Sequence, residues 1–204
     1  MSMMRFIGPT LTSVLLLASM PAQSTQDTPG ESGAQLTKVK CAPCHGTDGR
    51  GINKDYASLA GQSAEYLTKQ IFAFKTGQRK SALMEPIVQE LSAGEVHAVT
   101  AHFAKLPPGR TVATDRALAA EGAALYKNGH PGRGIGSCAA CHGEKALGSA
   151  QTPRLAGQNT GYLEQQLRNF IQKSRTNDLM MHLSLAGMTD REIRAVATHL
   201  GALE

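Results

Sequence analysis

The chain has 204 residues, 41% of them hydrophobic, with a formal charge of +5 and no tryptophan. That length suits one or two ordinary domains. Aromatic residues at 4% are too few for cores built on large side-chain rings, and all four cysteines fall in two short clusters, which leaves none for a disulfide.

In chain order, the first residues are not fold material. Arg5 is the lone charge ahead of an apolar run over residues 11–20, broken only by Thr12, Ser13 and Ser19, and small residues follow at Ala22 and Ser24. This is the layout of a secretory signal peptide, with an apolar core too short to span a bilayer. An uncleaved amphipathic anchor is the alternative. We assign residues 1–24 to the leader, with the cut between Met20 and Thr25. No later apolar run is long enough to cross a membrane, so the expected mature product is soluble and exported.

A short helix over 33–40 then runs into Cys41-Ala42-Pro43-Cys44-His45, and the cluster recurs as Cys138-Ala139-Ala140-Cys141-His142. A C-x-x-C-H run is a c-type haem attachment site. Two thiols at this spacing add to the two vinyl groups of one porphyrin, and the next residue supplies a neutral imidazole to the iron. C-x-x-C also occurs as half a zinc site or as a redox dithiol. Two copies, each followed at once by His-Gly, favour two covalently bound haem c groups. The propionates of two haems would bring the +5 chain, +4 without Arg5, close to neutral, so the basic residues give no support to nucleic-acid binding.

The clusters are part of a longer repeat. Cys138 and His142 lie 97 positions after Cys41 and His45, while Leu59-Ala60-Gly61-Gln62 recurs 96 positions later as Leu155-Ala156-Gly157-Gln158. Tyr66, Gln70, Phe74 and Arg79 recur as Tyr162, Gln166, Phe170 and Arg175, and His102 as His199. This is a tandem duplication. Each copy reads as all-α. Middle helices are expected over 64–75 and 161–173, from apolar residues spaced for one face. Closing helices start after Ser92 and Thr189, each followed three residues on by glutamate in a capping box. The second copy opens with a helix from Asp115 through Tyr126, and a glycine at the start of each opening helix, Gly33 and Gly122, would let another helix approach closely. Leu106-Pro107-Pro108-Gly109-Arg110-Thr111 cannot be helix and reads as a linker. The expected division is a domain over 25–106, a linker over 107–114 and a domain over 115–204.

A haem iron with one histidine needs a second ligand or an open position. Met84, Met180, Met181 and Met188 are the available methionines. Met84 stands near Pro86, which argues against a mid-helix position. Met84 and Met181 each lie eight residues before the capping Ser92 and Thr189, but counting from the arginines pairs Met84 with Met180. We prefer Met181, with Met180 as the alternative, and read Met188, the counterpart of Leu91, as packing. Of the remaining histidines, His97 among them, His102 and His199 read as packing or surface, and His130 lies in an insertion over 128–137 that the first copy lacks. His182 adjoins the preferred methionine and is a competing ligand.

At this point the chain resembles the cytochrome c4 family, on its two C-x-x-C-H-G motifs, the duplicated L-A-G-Q…Y-L…Q segment and the Arg-then-Met loops. The resemblance covers residue 33 to the C-terminus. It implies two tandem class I cytochrome c domains, each a small helical fold around one haem, with His45 and Met84 on one iron and His142 and Met181 on the other. It further implies a periplasmic carrier that takes electrons from a quinol-oxidising complex and passes them towards a membrane terminal oxidase. Peripheral membrane association stays open. The family carries a proline whose carbonyl orients the haem-binding histidine; Pro153 keeps it, whereas Ala57 replaces it in the first copy. A carbonyl needs no proline, so the hydrogen bond is expected at Ala57 too. Arg79, Arg175, Tyr66 and Tyr162 stand where they would reach propionates, against surface charge and core packing as the plain reading. The alternatives are a dihaem subunit of an oxidoreductase such as a flavocytochrome sulfide dehydrogenase, and an enzyme with an open iron. The latter would be a thiosulfate oxidoreductase, for which no spare cysteine exists, or a peroxidase.

Overall fold

The computed structural model describes residues 32–109 and 115–204; the expected leader and linker residues 110–114 lie outside the described residues. Among those described, the regular elements are helices, and His130 to Ile135 is an isolated antiparallel bridge. Helix α1 (Gly33–Leu36) continues through a π-type turn over Thr37–Cys41 into α2 (Ala42–His45), followed by α3 (Ala64–Lys75), α4 (Met84–Gln89) and α5 (Ala93–Lys105). The order then repeats as α6 (Arg116–Asn128), α7 (Ala139–His142), α8 (Thr160–Ile171), α9 (Leu179–Ser184) and α10 (Asp190–Ala202).

Local chemistry starts and stops these helices. Ser92 and Thr189 each accept from the backbone N–H three residues on, and Glu95 and Glu192 return the bond, so both capping boxes form. Met84 is the first residue of α4, and Pro86 falls within its first turn, where a missing N–H has no intrahelical acceptor to disappoint. The methionine-bearing segments, α4 and α9, are thus single short helices.

In each half the opening helix crosses the closing helix at a glycine. A Cβ on Gly33 would stand 2.1 Å from the Ala98 carbonyl oxygen, and one on Gly122 would stand 2.0 Å from that of Ala195. Gly122 sits in the middle of α6 rather than at its start. The helices meet backbone to backbone because neither glycine has a side chain. Small apolar clusters flank these crossings: Leu36, Leu67, Val99 and Phe103 in the first half, and Tyr126, Leu163, Val196 and Leu200 among others in the second. Cys41 and Leu59 pack on the first, and Cys138, Leu155 and Met188 on the second, so Met188 packs as expected. His199 also takes a structural place, its ring 5.7 Å from that of Tyr126.

Candidate functional site

Each C-x-x-C-H motif is wound into one helical turn, with Cys41 and Cys138 at the N-terminal boundaries of α2 and α7. Gly46 and Gly143 end these turns at φ of 75° and 79°, a backbone region that side chains disfavour, which explains the glycine after each histidine. The chain then doubles back, and the next loop brings a carbonyl under each ring. His45 donates from Nδ1 to the Ala57 carbonyl at 2.9 Å, and His142 donates to that of Pro153 at 3.0 Å. Proline is therefore not needed for this bond. In both rings Nε2 remains as the nitrogen available to a metal.

Burial keeps both imidazoles neutral: it pushes the His45 and His142 pKa values below the ordinary histidine range. The same effect pushes the Cys41 and Cys138 thiols up to about 11, against the depressed values that mark a reactive dithiol. Among the described residues no three His, Cys, Asp or Glu side chains converge as a metal-ion site, so a half zinc site here has no second half.

One cavity of ≈ 970 Å³ runs through both halves, lined by all four cysteines, His45, His142, Met84, Met180 and Met181. No other described histidine lines it. His182 turns away, its Nδ1 bonded to the Phe170 carbonyl at 2.7 Å and its ring edge-on to Phe170. The two methionine loops match in detail. The Met84 N–H donates to Ser81 Oγ and the Met181 N–H to Asp178 Oδ1, both at 3.2 Å. Met84 and Met181 are half-buried, whereas Met180 is 63% exposed, like Leu83 at 67% one residue before Met84. The tethers behind the loops differ. Lys75 donates to the Val88 and Leu91 carbonyls at 2.8 and 2.6 Å, closing the C-terminal end of α4. In the second half Ile171 replaces that lysine, and the insertion holds α9 instead through Gly136 N–H to the Ser184 carbonyl.

Across the cavity the halves meet about a local twofold. Arg79 donates to Tyr162 and Gln166 of the other half at 2.9 Å each, and to its own Gln70. Arg175 donates to Tyr66 at 3.2 Å and Gln70 at 3.0 Å of the other half, and to its own Gln166 and Asn177. The guanidinium groups stack on Phe74 and Phe170 at 4.6 and 4.4 Å. Both arginines are 7% exposed and neither has a carboxylate partner among the described residues, so the surface-charge reading fails for them. This interface was not legible in the sequence; its one trace there is that the same residue types recur in both copies.

The donor set suits two haems: each half contributes two thiols, a neutral imidazole and a thioether to the lining of the cavity, between largely apolar walls. The cytochrome c family profile matches residues 30–106 and 119–204. This chain belongs to the cytochrome c family, in its dihaem cytochrome c4 branch. It is 40% identical over 193 residues to a thiosulfate dehydrogenase electron acceptor of Stutzerimonas stutzeri strain A1501, a match covering 90% of this chain and 89% of that one. It is 37% identical over 181 residues to cytochrome c4 of Thiocapsa roseopersicina, covering 85% and 92%. The crystal structure of reduced cytochrome c4 from Pseudomonas stutzeri superposes with a TM-score of 0.80 at 30% identity, over 84% of this chain and 97% of that one. A thiosulfate dehydrogenase from Marichromatium purpuratum matches with a TM-score of 0.77 at 32% identity, over 84% of this chain but 40% of that longer one. The protein is thus a dihaem c-type electron carrier with two cytochrome c domains.

Proposed function

We propose that the protein is a periplasmic carrier whose two irons are closed by His45 with Met84 and by His142 with Met181, the haems being tethered through Cys41 with Cys44 and Cys138 with Cys141. The leader is residues 1–24, and the domains are 25–106 and 115–204 around the linker 107–114. Haem c supplies a one-electron iron couple when bound, and methionine ligation raises its potential. The observation that carries this reading is the matched pair of loops, in which Met84 and Met181 share the same capping bond, the same half-burial and the same cavity. Met180, exposed like Leu83, falls outside that match. A closed His/Met pair leaves no position for a substrate. Arg79 and Arg175, buried without a carboxylate partner among the described residues, would take propionates as counter-charges, since a buried charge needs one. Unchanged midpoint potentials in Arg79→Gln and Arg175→Gln would oppose that role.

The donor is a quinol-oxidising complex and the acceptor a membrane terminal oxidase, and exposed Leu83, Leu179, Met180 and Leu183 beside the methionine loops offer these partners an apolar contact. A second reading is favoured by a specific similarity, the relative described as a thiosulfate dehydrogenase electron acceptor. In that reading the donor is a thiosulfate-oxidising enzyme, rather than the sulfide dehydrogenase that the sequence alone suggested. Stopped-flow reduction by each donor separates the two readings. Ligation is tested on the ferric protein through the methionine-to-iron charge-transfer band at the red edge of the visible spectrum. Met84→Leu and Met181→Leu should each remove about half of it, one iron's share of two, and Met180→Leu none. Carbon monoxide binding by the reduced native protein would mean an open iron and overturn the closed-ligand reading.

A further inference from the structure

The two L-A-G-Q segments supply no iron ligand, yet their glutamines are nearly buried, Gln62 at 5% and Gln158 at 7% exposure. Each reaches into the other half. Gln158 accepts from the Ser58 N–H at 2.7 Å and donates back to the Ser58 carbonyl at 2.8 Å. Gln62 accepts from the Arg154 N–H at 2.8 Å and donates to the Arg154 carbonyl at 3.0 Å.

The targets of these bonds matter. The Ser58 N–H belongs to the same amide as the Ala57 carbonyl, which accepts from His45 Nδ1. The Arg154 N–H belongs to the same amide as the Pro153 carbonyl, which accepts from His142 Nδ1. One peptide group is thus held at its nitrogen end by a glutamine of one half and at its oxygen end by the histidine of the other. The arrangement occurs twice with the roles exchanged. Hydrogen bonds in series polarise one another: engaging the N–H draws negative charge onto the carbonyl oxygen. A stronger acceptor at Nδ1 fixes a ligating imidazole and raises its basicity.

We propose that Gln158 is a positioning residue for His45 and Gln62 for His142, so that each half sets the orientation and basicity of the other half's histidine. The proposal rests on the reading that these histidines ligate iron. It also accounts for Ala57, whose amide is held through the Ser58 N–H by Gln158 and needs no proline ring. A more basic ligand favours ferric iron, so removing a glutamine raises the potential of the haem in the opposite half.

The test is a redox titration of the holoprotein and of its Gln158→Met and Gln62→Met variants. Haem methyl resonances, assigned to each half through the attached cysteines, report the two irons separately. Gln158→Met should raise the midpoint of the N-terminal haem and leave the other in place; Gln62→Met should do the reverse. A shift confined to the variant's own half, a common shift of both haems, or no shift overturns the proposal. Asn159→Ala is the control, because Asn159 bonds the Arg50 and Tyr56 carbonyls across the same interface, at 2.7 Å each, without touching the Ala57–Ser58 amide. A crossed shift in that variant assigns the effect to interface loosening and also overturns the proposal. The ligand reading is checked separately by hyperfine-shifted ring resonances of His45 and His142 in the ferric wild type. Their absence sinks that reading and this one together. Their presence without a crossed shift sinks only this one.

Discussion

Replacing Arg175 by methionine removes the guanidinium while keeping an unbranched apolar stem against Phe170. Two of the bonds lost cross the interface, to Tyr66 and Gln70. Hydrogen bonds to a charged donor contribute about 1.5–3 kcal/mol each, so the pair is worth about 3–6 kcal/mol before offsets. Removing a buried cation also recovers its desolvation cost, which brings the expected loss to about 2–4 kcal/mol. A double-mutant cycle with Tyr66→Phe isolates one contact from whatever Arg175 does elsewhere, and should return a coupling of about 1–1.5 kcal/mol. The mirror cycle, Arg79→Met with Tyr162→Phe, should return a coupling at least as large, because its bond is 2.9 Å rather than 3.2 Å. Urea unfolding of the ferric holoprotein, followed by circular dichroism, supplies the four stabilities of each cycle. Coupling below about 0.5 kcal/mol in both cycles is what independent sites give, and would refute the claim that these arginines dock the halves.

Gly33→Ala and Gly122→Ala should each destabilise their half by about 1–3 kcal/mol, since the added methyl meets a backbone carbonyl that cannot swing aside. Gly94→Ala, with open space around its Cβ, should be neutral or slightly stabilising in thermal melts, and an equal loss there would refute the crossing argument. The bond from Arg133, opposed by burial and supported by the Thr189 backbone bond, lowers the Glu192 carboxyl to a pKa of about 2. A folded-state value below the unfolded one adds stability above the unfolded carboxylate range near about 4.3, and that stability is lost as pH falls towards about 2. Arg133→Met should flatten the melting temperature of the C-terminal half across this acid window while leaving the N-terminal half unchanged.

Much of this protein is legible without coordinates because its strongest signals are local. Thiol spacing and the adjacent histidine in Cys41 to His45 encode haem attachment through covalent reach within one helical turn. Ser92 with Glu95, and Thr189 with Glu192, encode helix starts through side chains that meet the backbone three residues away. The repeat itself reports two like domains. Other decisions depend on contacts between residues far apart in the chain, which leave no periodic trace. Counting from Thr189 favours Met181 and counting from Arg175 favours Met180; burial and the matching caps from Ser81 and Asp178, which support Met181 in the proposed reading, appear only in the tertiary structure. In the sequence Arg79 and Arg175 stand between a propionate role and plain surface charge, and their bonds to the other half emerge only when the halves pack. The same holds for Gln62 and Gln158, whose partners lie 92 and 100 residues away. Local chemistry specified each haem-binding half, and only the packing of one half on the other decided which side chains reach across to the backbone beside the other half's histidine.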